Sequence, residues 1–162
     1  MVALSITEVK EFMSKLLLSE TFDSFQFIEG EIMTFATFTM DGYLQKEFFN
    51  DNELPDREYI LWKDVREYCF SLIKGKRTPL KFKFVFGLSE TNIEKLIQQQ
   101  DLDFETEDIR GLYINIKYDG QNLQCVTGTA MHLFTMDKSL EQAWDAMVQK
   151  FLTQKEIAYE VL

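Results

Sequence analysis

Residues 112–134 read LYINIKYDGQNLQCVTGTAMHLF, and this stretch decides the fold. Leu112, Ile114, Ile116 and Tyr118 alternate with Tyr113, Asn115 and Lys117. That period of two sends successive side chains to opposite faces of a β-strand. Asp119-Gly120 follows, a dipeptide suited to a tight hairpin turn, and a second arm continues through Cys125 and Val126.

The same pattern recurs on either side. EIMTFATFTMDGYLQKEFF (31–49) predicts two strands around Asp41-Gly42. LKFKFVF (80–86) alternates, with Leu80, Phe82, Phe84 and Phe86 on one face, and EIAYEVL (156–162) reads as a last strand. Four helices fill the intervals. The first opens on Ser5-Ile6-Thr7-Glu8, a capping-box pattern, with Ile6, Val9, Met13, Leu16 and Leu17 on one face. The second runs from about Trp62 to Lys74, with Val65, Tyr68, Cys69, Leu72 and Ile73 inward. The third follows Ser89 and carries Ile93, Leu96 and Ile97. The fourth begins at Ser139 with Gln142 as its cap partner, and its face includes Leu140, Trp144, Val148 and Leu152.

In order, helix, hairpin, helix and strand occur twice, a (β)-α-β-β-α-β arrangement read as an internal duplication. Val65, Tyr68, Cys69, Leu72 and Ile73 match Trp144, Met147, Val148, Phe151 and Leu152 at a constant offset. The expected fold is α+β, an antiparallel sheet covered by helices on one face, in a single domain spanning 1–162 with repeats 1–88 and 89–162. A sliding-clamp-like and a ferredoxin-like topology share this order. Likeness at that level transfers no function.

Composition agrees with one domain. The chain has 162 residues, 46% hydrophobic and 27% charged, with fifteen Phe. That length buries roughly two-thirds of the unfolded surface, and the phenylalanines predict an aromatic core. The N-terminus lacks a secretory pattern, no run is long enough to span a membrane, and Cys69 and Cys125 form no CxxC pair. These features place the expected protein in the cytoplasm, without membrane attachment.

The net charge is −10, so wrapping nucleic acid with the whole surface is disfavoured. One stretch reverses that sign. IKGKRTPLKFKFVF (73–86) carries Lys74, Lys76, Arg77, Lys81 and Lys83, and no Asp or Glu occurs from Tyr68 to Ser89. Gly75-Lys76 is not a P-loop: Phe70 stands where the first glycine belongs, Arg77 follows the lysine, and the segment leaves a helix C-terminus. At that end a helix attracts cations of its own chain, and exposed lysines on a strand usually only solvate it. The five residues are a candidate patch for an anion or partner, weighed against that plainer reading.

Other constellations fail chemically. DLDFETED (101–108) resembles a calcium loop but has Thr106 where glycine is required and Leu112 where the twelfth-position acid is required. It reads as a solvated loop, with an electrostatic latch onto the basic stretch as an alternative. His132 is the only histidine, so no two-histidine metal site exists. A Cys–His catalytic pair with Cys69 or Cys125 is formally open, but both thiols fall at core positions. No hydrolase, zinc-protease, dinucleotide or kinase motif occurs.

At LLLSETFDSF (16–25), TFTMDGYLQKEFF (37–49), IKGKRTPLKFKFVF (73–86) and MDKSLEQAWD (136–145) the chain resembles a family of short bacterial proteins from Gram-positive anaerobes, known as a domain of unknown function. The resemblance implies a free-standing cytoplasmic protein and no particular activity. Because no site gathers the base, nucleophile and electrophile that catalysis needs, the expectation is a non-catalytic binding or adaptor protein without cofactor or metal, meeting a protein partner, with an enzyme using scattered carboxylates or Tyr ranked last. A nucleic-acid-associated protein using the basic patch is the alternative.

Overall fold

A computed structural model describes residues 1–162. Its elements run β1 (Ala3–Ile6), α1 (Val9–Leu17), β2 (Gln26–Met33), β3 (Thr37–Asp41), α2 (Trp62–Ile73), β4 (Lys81–Gly87), α3 (Glu90–Gln99), β5 (Ile109–Tyr118), β6 (Leu123–Met131), α4 (Ser139–Gln154) and β7 (Tyr159–Val161). Single 3₁₀ turns lie at Lys46–Phe48 and Thr106–Asp108. The strands form one seven-stranded sheet in the order β3-β2-β4-β5-β6-β1-β7, antiparallel at every junction.

Two neighbouring rows across this sheet show why the helices cover one face only. The row Met40, Gly30, Phe84, Ile116, Cys125, Leu4, Val161 is apolar throughout. The next row, displaced by one residue, reads Thr39, Glu31, Lys83, Lys117, Gln124, Ser5, Glu160. A one-residue slip would exchange the two, so the hydrophobic pattern fixes the register. All four helices pack on the apolar side, and their buried residues join one core cluster with Phe82, Phe84, Phe86, Ile114 and Ile116.

The core is aromatic. The Trp62 ring lies 5.0 Å from Phe86 and 5.1 Å from Phe84. Its indole N–H donates to the Leu16 carbonyl at 2.9 Å, so the fully buried polar atom is satisfied. Trp144 donates likewise to the Tyr113 carbonyl at 3.0 Å. An ion pair ties α2 to the turn after α1, with Arg66 Nε 2.9 Å and Nη2 3.0 Å from the Asp23 carboxylate.

Several details differ from the sequence reading. Ser5 and Ile6 belong to β1, and α1 starts at Val9 without a side-chain cap, so the capping box does not form. Long-range strand pairing outweighs it: Ser5 pairs with Gln124 on one side and Glu160 on the other. The turn between β2 and β3 lies at 34–36, closed by Thr34 N–H to the Ala36 carbonyl, and not at Asp41-Gly42. Gly42 is instead a point of close approach, since a Cβ there would come within 1.8 Å of the Phe27 carbonyl oxygen. Ser139 is the first helical residue of α4 and not its cap; its N–H donates to the Asp137 carboxylate. Tyr68 is 70% exposed and Leu80 62% exposed, because Tyr68 lies on the outer side of α2 and Leu80 precedes β4.

The Asp119-Gly120 turn stands where the sequence puts it. Asp119 accepts from the N–H groups of Gln121 at 2.9 Å and Asn122 at 2.7 Å, and Gly120 has φ +99°. Ser89 caps α3 by accepting from Asn92 N–H. The order α-β-β-α-β does occur twice along the chain. The last strands are placed differently: β4 pairs with the first hairpin arm β2, whereas β7 pairs with β1.

Candidate functional site

The basic stretch is divided by the geometry of its own segment. Helix α2 ends at Ile73, and Gly75 with φ +146° turns the chain away into Lys76-Arg77-Thr78-Pro79. A Cβ at Gly75 would meet nothing within 4 Å, so the backbone conformation, not crowding, favours glycine there. Strand β4 then begins. Phe82, Phe84 and Phe86 turn toward the helices, which sends Lys81 and Lys83 to the opposite face. Lys83 stands there between Glu31 and Lys117 in register. The structure therefore brings Lys74, Lys76 and Arg77 together and separates them from Lys81 and Lys83.

Lys74, Lys76 and Arg77 rim a cleft of about 560 Å³ at the end of the helical layer. One wall is α1 and the residue following it, through Val9, Met13, Leu17 and Leu18. The opposite wall is Phe70 and Ile73 of α2, and the floor is Phe82, Tyr118 and Pro79. Phe82 and Tyr118 stack with ring centroids 5.2 Å apart. Lys10 approaches from α1, and Ser14, Thr78 and Gln121 complete the polar lining. Lys74 Nζ lies 5.7 Å from the Phe70 ring centroid, a cation over an aromatic face.

The electrostatics of this cleft are one-signed. The chain carries 27 Asp and Glu against 17 Lys and Arg. Among the 17 lining residues there are four cations, Lys10, Lys74, Lys76 and Arg77, and no acid. None of the four takes part in an ion pair. The latch from 101–108 is therefore absent: Asp108 turns back to accept from Glu105 N–H, and no residue of that loop pairs with the basic stretch.

The wall from α1 escaped the sequence reading. Val9, Met13 and Leu17 look like ordinary core positions on an amphipathic face. The available signal was Leu16-Leu17-Leu18, one leucine more than a single buried face accommodates, and Leu18 is 60% exposed at the cleft.

The remaining candidates do not assemble into a catalytic site. Cys69 and Cys125 are buried and unpaired, and burial pushes each thiol up to about 12. A thiol held neutral in this way is a poor nucleophile. Cys69 packs its sulfur 3.7 Å from that of Met40, and His132 is exposed after β6. A second, polar cleft of about 400 Å³ on the open sheet face is lined by Glu29, Glu31, Asp41 and Lys83.

The family model described as "Family of unknown function (DUF5721)" matches residues 15–160, and the chain belongs to that family. No curated protein and no solved structure matches the chain.

Proposed function

With membership of a family of unknown function as the premise, we propose that this is a non-catalytic binding protein whose working site is the cleft between α1, α2 and the 74–79 turn. Its occupant has an apolar part and an anionic end. One observation carries the reading: in a chain of net charge −10, four cations without ion-pair partners surround an apolar floor from which every acid is absent. Cations in a surface ion-pair network hold their neighbours; cations left free over a concave apolar surface are available to a ligand. The two buried free thiols suit a reducing compartment, so we place the protein in the cytoplasm. We also take 1–88 and 89–162 as structural repeats, on the recurrence of α-β-β-α-β.

The test uses an anionic apolar dye, anilinonaphthalene sulfonate, with the native protein. Saturable one-to-one fluorescence enhancement is expected, and Met13→Glu should abolish it while leaving the circular dichroism spectrum intact. Enhancement that survives Met13→Glu would place the dye elsewhere and overturn the reading.

Binding of nucleic acid through the same cations is the second reading, supported by the adjacency of Lys74, Lys76 and Arg77. It leaves the apolar floor unused, and Lys81 and Lys83 do not extend the track. Affinity for single-stranded RNA that falls steeply between low and physiological salt would favour it.

A further inference from the structure

Resting on that reading of the cleft, we propose that its ligand is a single apolar chain ending in a phosphate-type group, taken up as a monomer. The head is argued from hydrogen-bonding capacity. The main-chain N–H groups of Gly75, Lys76, Arg77 and Thr78 donate to no acceptor in the protein. The lysine and arginine side chains beside them are donors only, so this exposed rim suits a group that only accepts. A phosphate monoester presents three strong acceptor oxygens and about −1.5 to −2 charges at pH 7. A carboxylate offers two oxygens and one charge, which leaves more of the rim unanswered. The guanidinium of Arg77 adds the planar fork that grips phosphate with two parallel hydrogen bonds. These cations also offset the negative carbonyl end of α2, which by itself would repel an anion.

The tail is argued from what the walls lack. From Val9 to Leu17 the apolar wall rises about 12 Å along α1, at 1.5 Å per residue. The backbones of α1 and α2 are bonded within their helices, so between the walls no free strand edge faces the space. A peptide lying there would bring an N–H and a C=O at every residue, more than Ser14, Thr78, Gln121 and the free N–H groups of the 75–78 rim can pair. A polymethylene chain brings no polar group and fills the same space.

The experiment is isothermal titration of the full chain with dodecyl phosphate below its micelle concentration, beside dodecanoate and inorganic phosphate. One-to-one binding of dodecyl phosphate is expected, about tenfold or more tighter than dodecanoate, with no heat from inorganic phosphate. Lys76→Glu with Arg77→Glu should weaken dodecyl phosphate by about tenfold or more, and Met13→Glu should do the same from the other end of the ligand. Both variants are checked for an unchanged circular dichroism spectrum, and Leu18→Ser serves as a milder variant if Met13→Glu unfolds. Equal affinity for dodecanoate overturns the phosphate head while leaving the cleft reading intact. Binding of vesicles containing phosphatidic acid without binding of the monomer overturns the monomeric ligand, and tighter binding of an acidic apolar peptide overturns the single chain. Failure of every amphiphile together with failure of the dye test overturns both proposals.

Discussion

Lys74, Lys76 and Arg77 on one side, Lys81 and Lys83 on the other, belong to one short stretch of like charge yet end on opposite sides of a sheet. The first group lies on a turn whose course is set by a helix stop and by Gly75, so its side chains gather at a cleft mouth. The second lies on a strand, where the pleat dictates direction and Phe82 and Phe84, alternating with the lysines, claim the core. Lys83 has Glu31 beside it in register, whereas the cleft that the turn cations line contains no acid. Charge adjacent in sequence becomes a site only where the backbone keeps it adjacent in space.

Phe82, between Lys81 and Lys83, belongs to both core and cleft floor. Phe82→Ala removes a side chain that is buried and stacked on Tyr118, and should cost about 3–5 kcal/mol in urea unfolding. It should also weaken ligand binding, whereas the lysines flanking it should matter in only one of those assays or in neither. The next largest effect contrasts the groups directly. Reversing Lys76 and Arg77 to Glu should lower dye affinity by about tenfold, some 1.4 kcal/mol. Reversing Lys81 and Lys83 to Glu should change it by less than about twofold, since those charges lie across the sheet and are screened. Equal losses from the two double variants would mean that the dye senses net charge and not the cleft.

Much of this was legible beforehand. Alternation at 112–118 and 82–86, the Asp119-Gly120 turn and the apolar faces of α3 and α4 follow from periods of 2 and 3.6, which any buried face imposes. The strand at 3–6 was hidden because Ser5 and Glu8 also fit a helix start, and only pairing with β6 and β7 decides between the two. Asp41-Gly42 carried the same signal as Asp119-Gly120 and meant something else, because close approach to the Phe27 carbonyl demanded a glycine there. The cations of the site were visible as a break in charge. Its apolar wall was not, since a half-open cleft and a closed core use the same residues.

Smaller effects distinguish the open face further. Glu31→Lys places like charges in register with Lys83 and Lys117, and should destabilise the fold by about 0.2–1 kcal/mol while leaving dye binding unchanged. Asp119→Ala should have the smallest effect. Hydrogen bonds from the Asn122 and Gln121 backbone hold the Asp119 carboxyl below its ordinary 3.8. A depressed folded value means that its stabilisation is present above 3.8 and is lost as pH falls through the lower, folded value. The urea midpoints of wild type and Asp119→Ala should therefore differ at pH 7 and converge in stronger acid; a gap that widens on acidification would contradict this.

The cleft itself is tested most directly by titrating ¹⁵N-labelled protein with dodecyl phosphate and following the amide resonances. Shifts confined to residues 9–18, 70–82 and 118–121 are expected, with the largest at Gly75, Lys76, Arg77 and Thr78. Shifts centred on Glu29, Glu31 and Lys83 of the open face, or none at all, would contradict the assignment of the site.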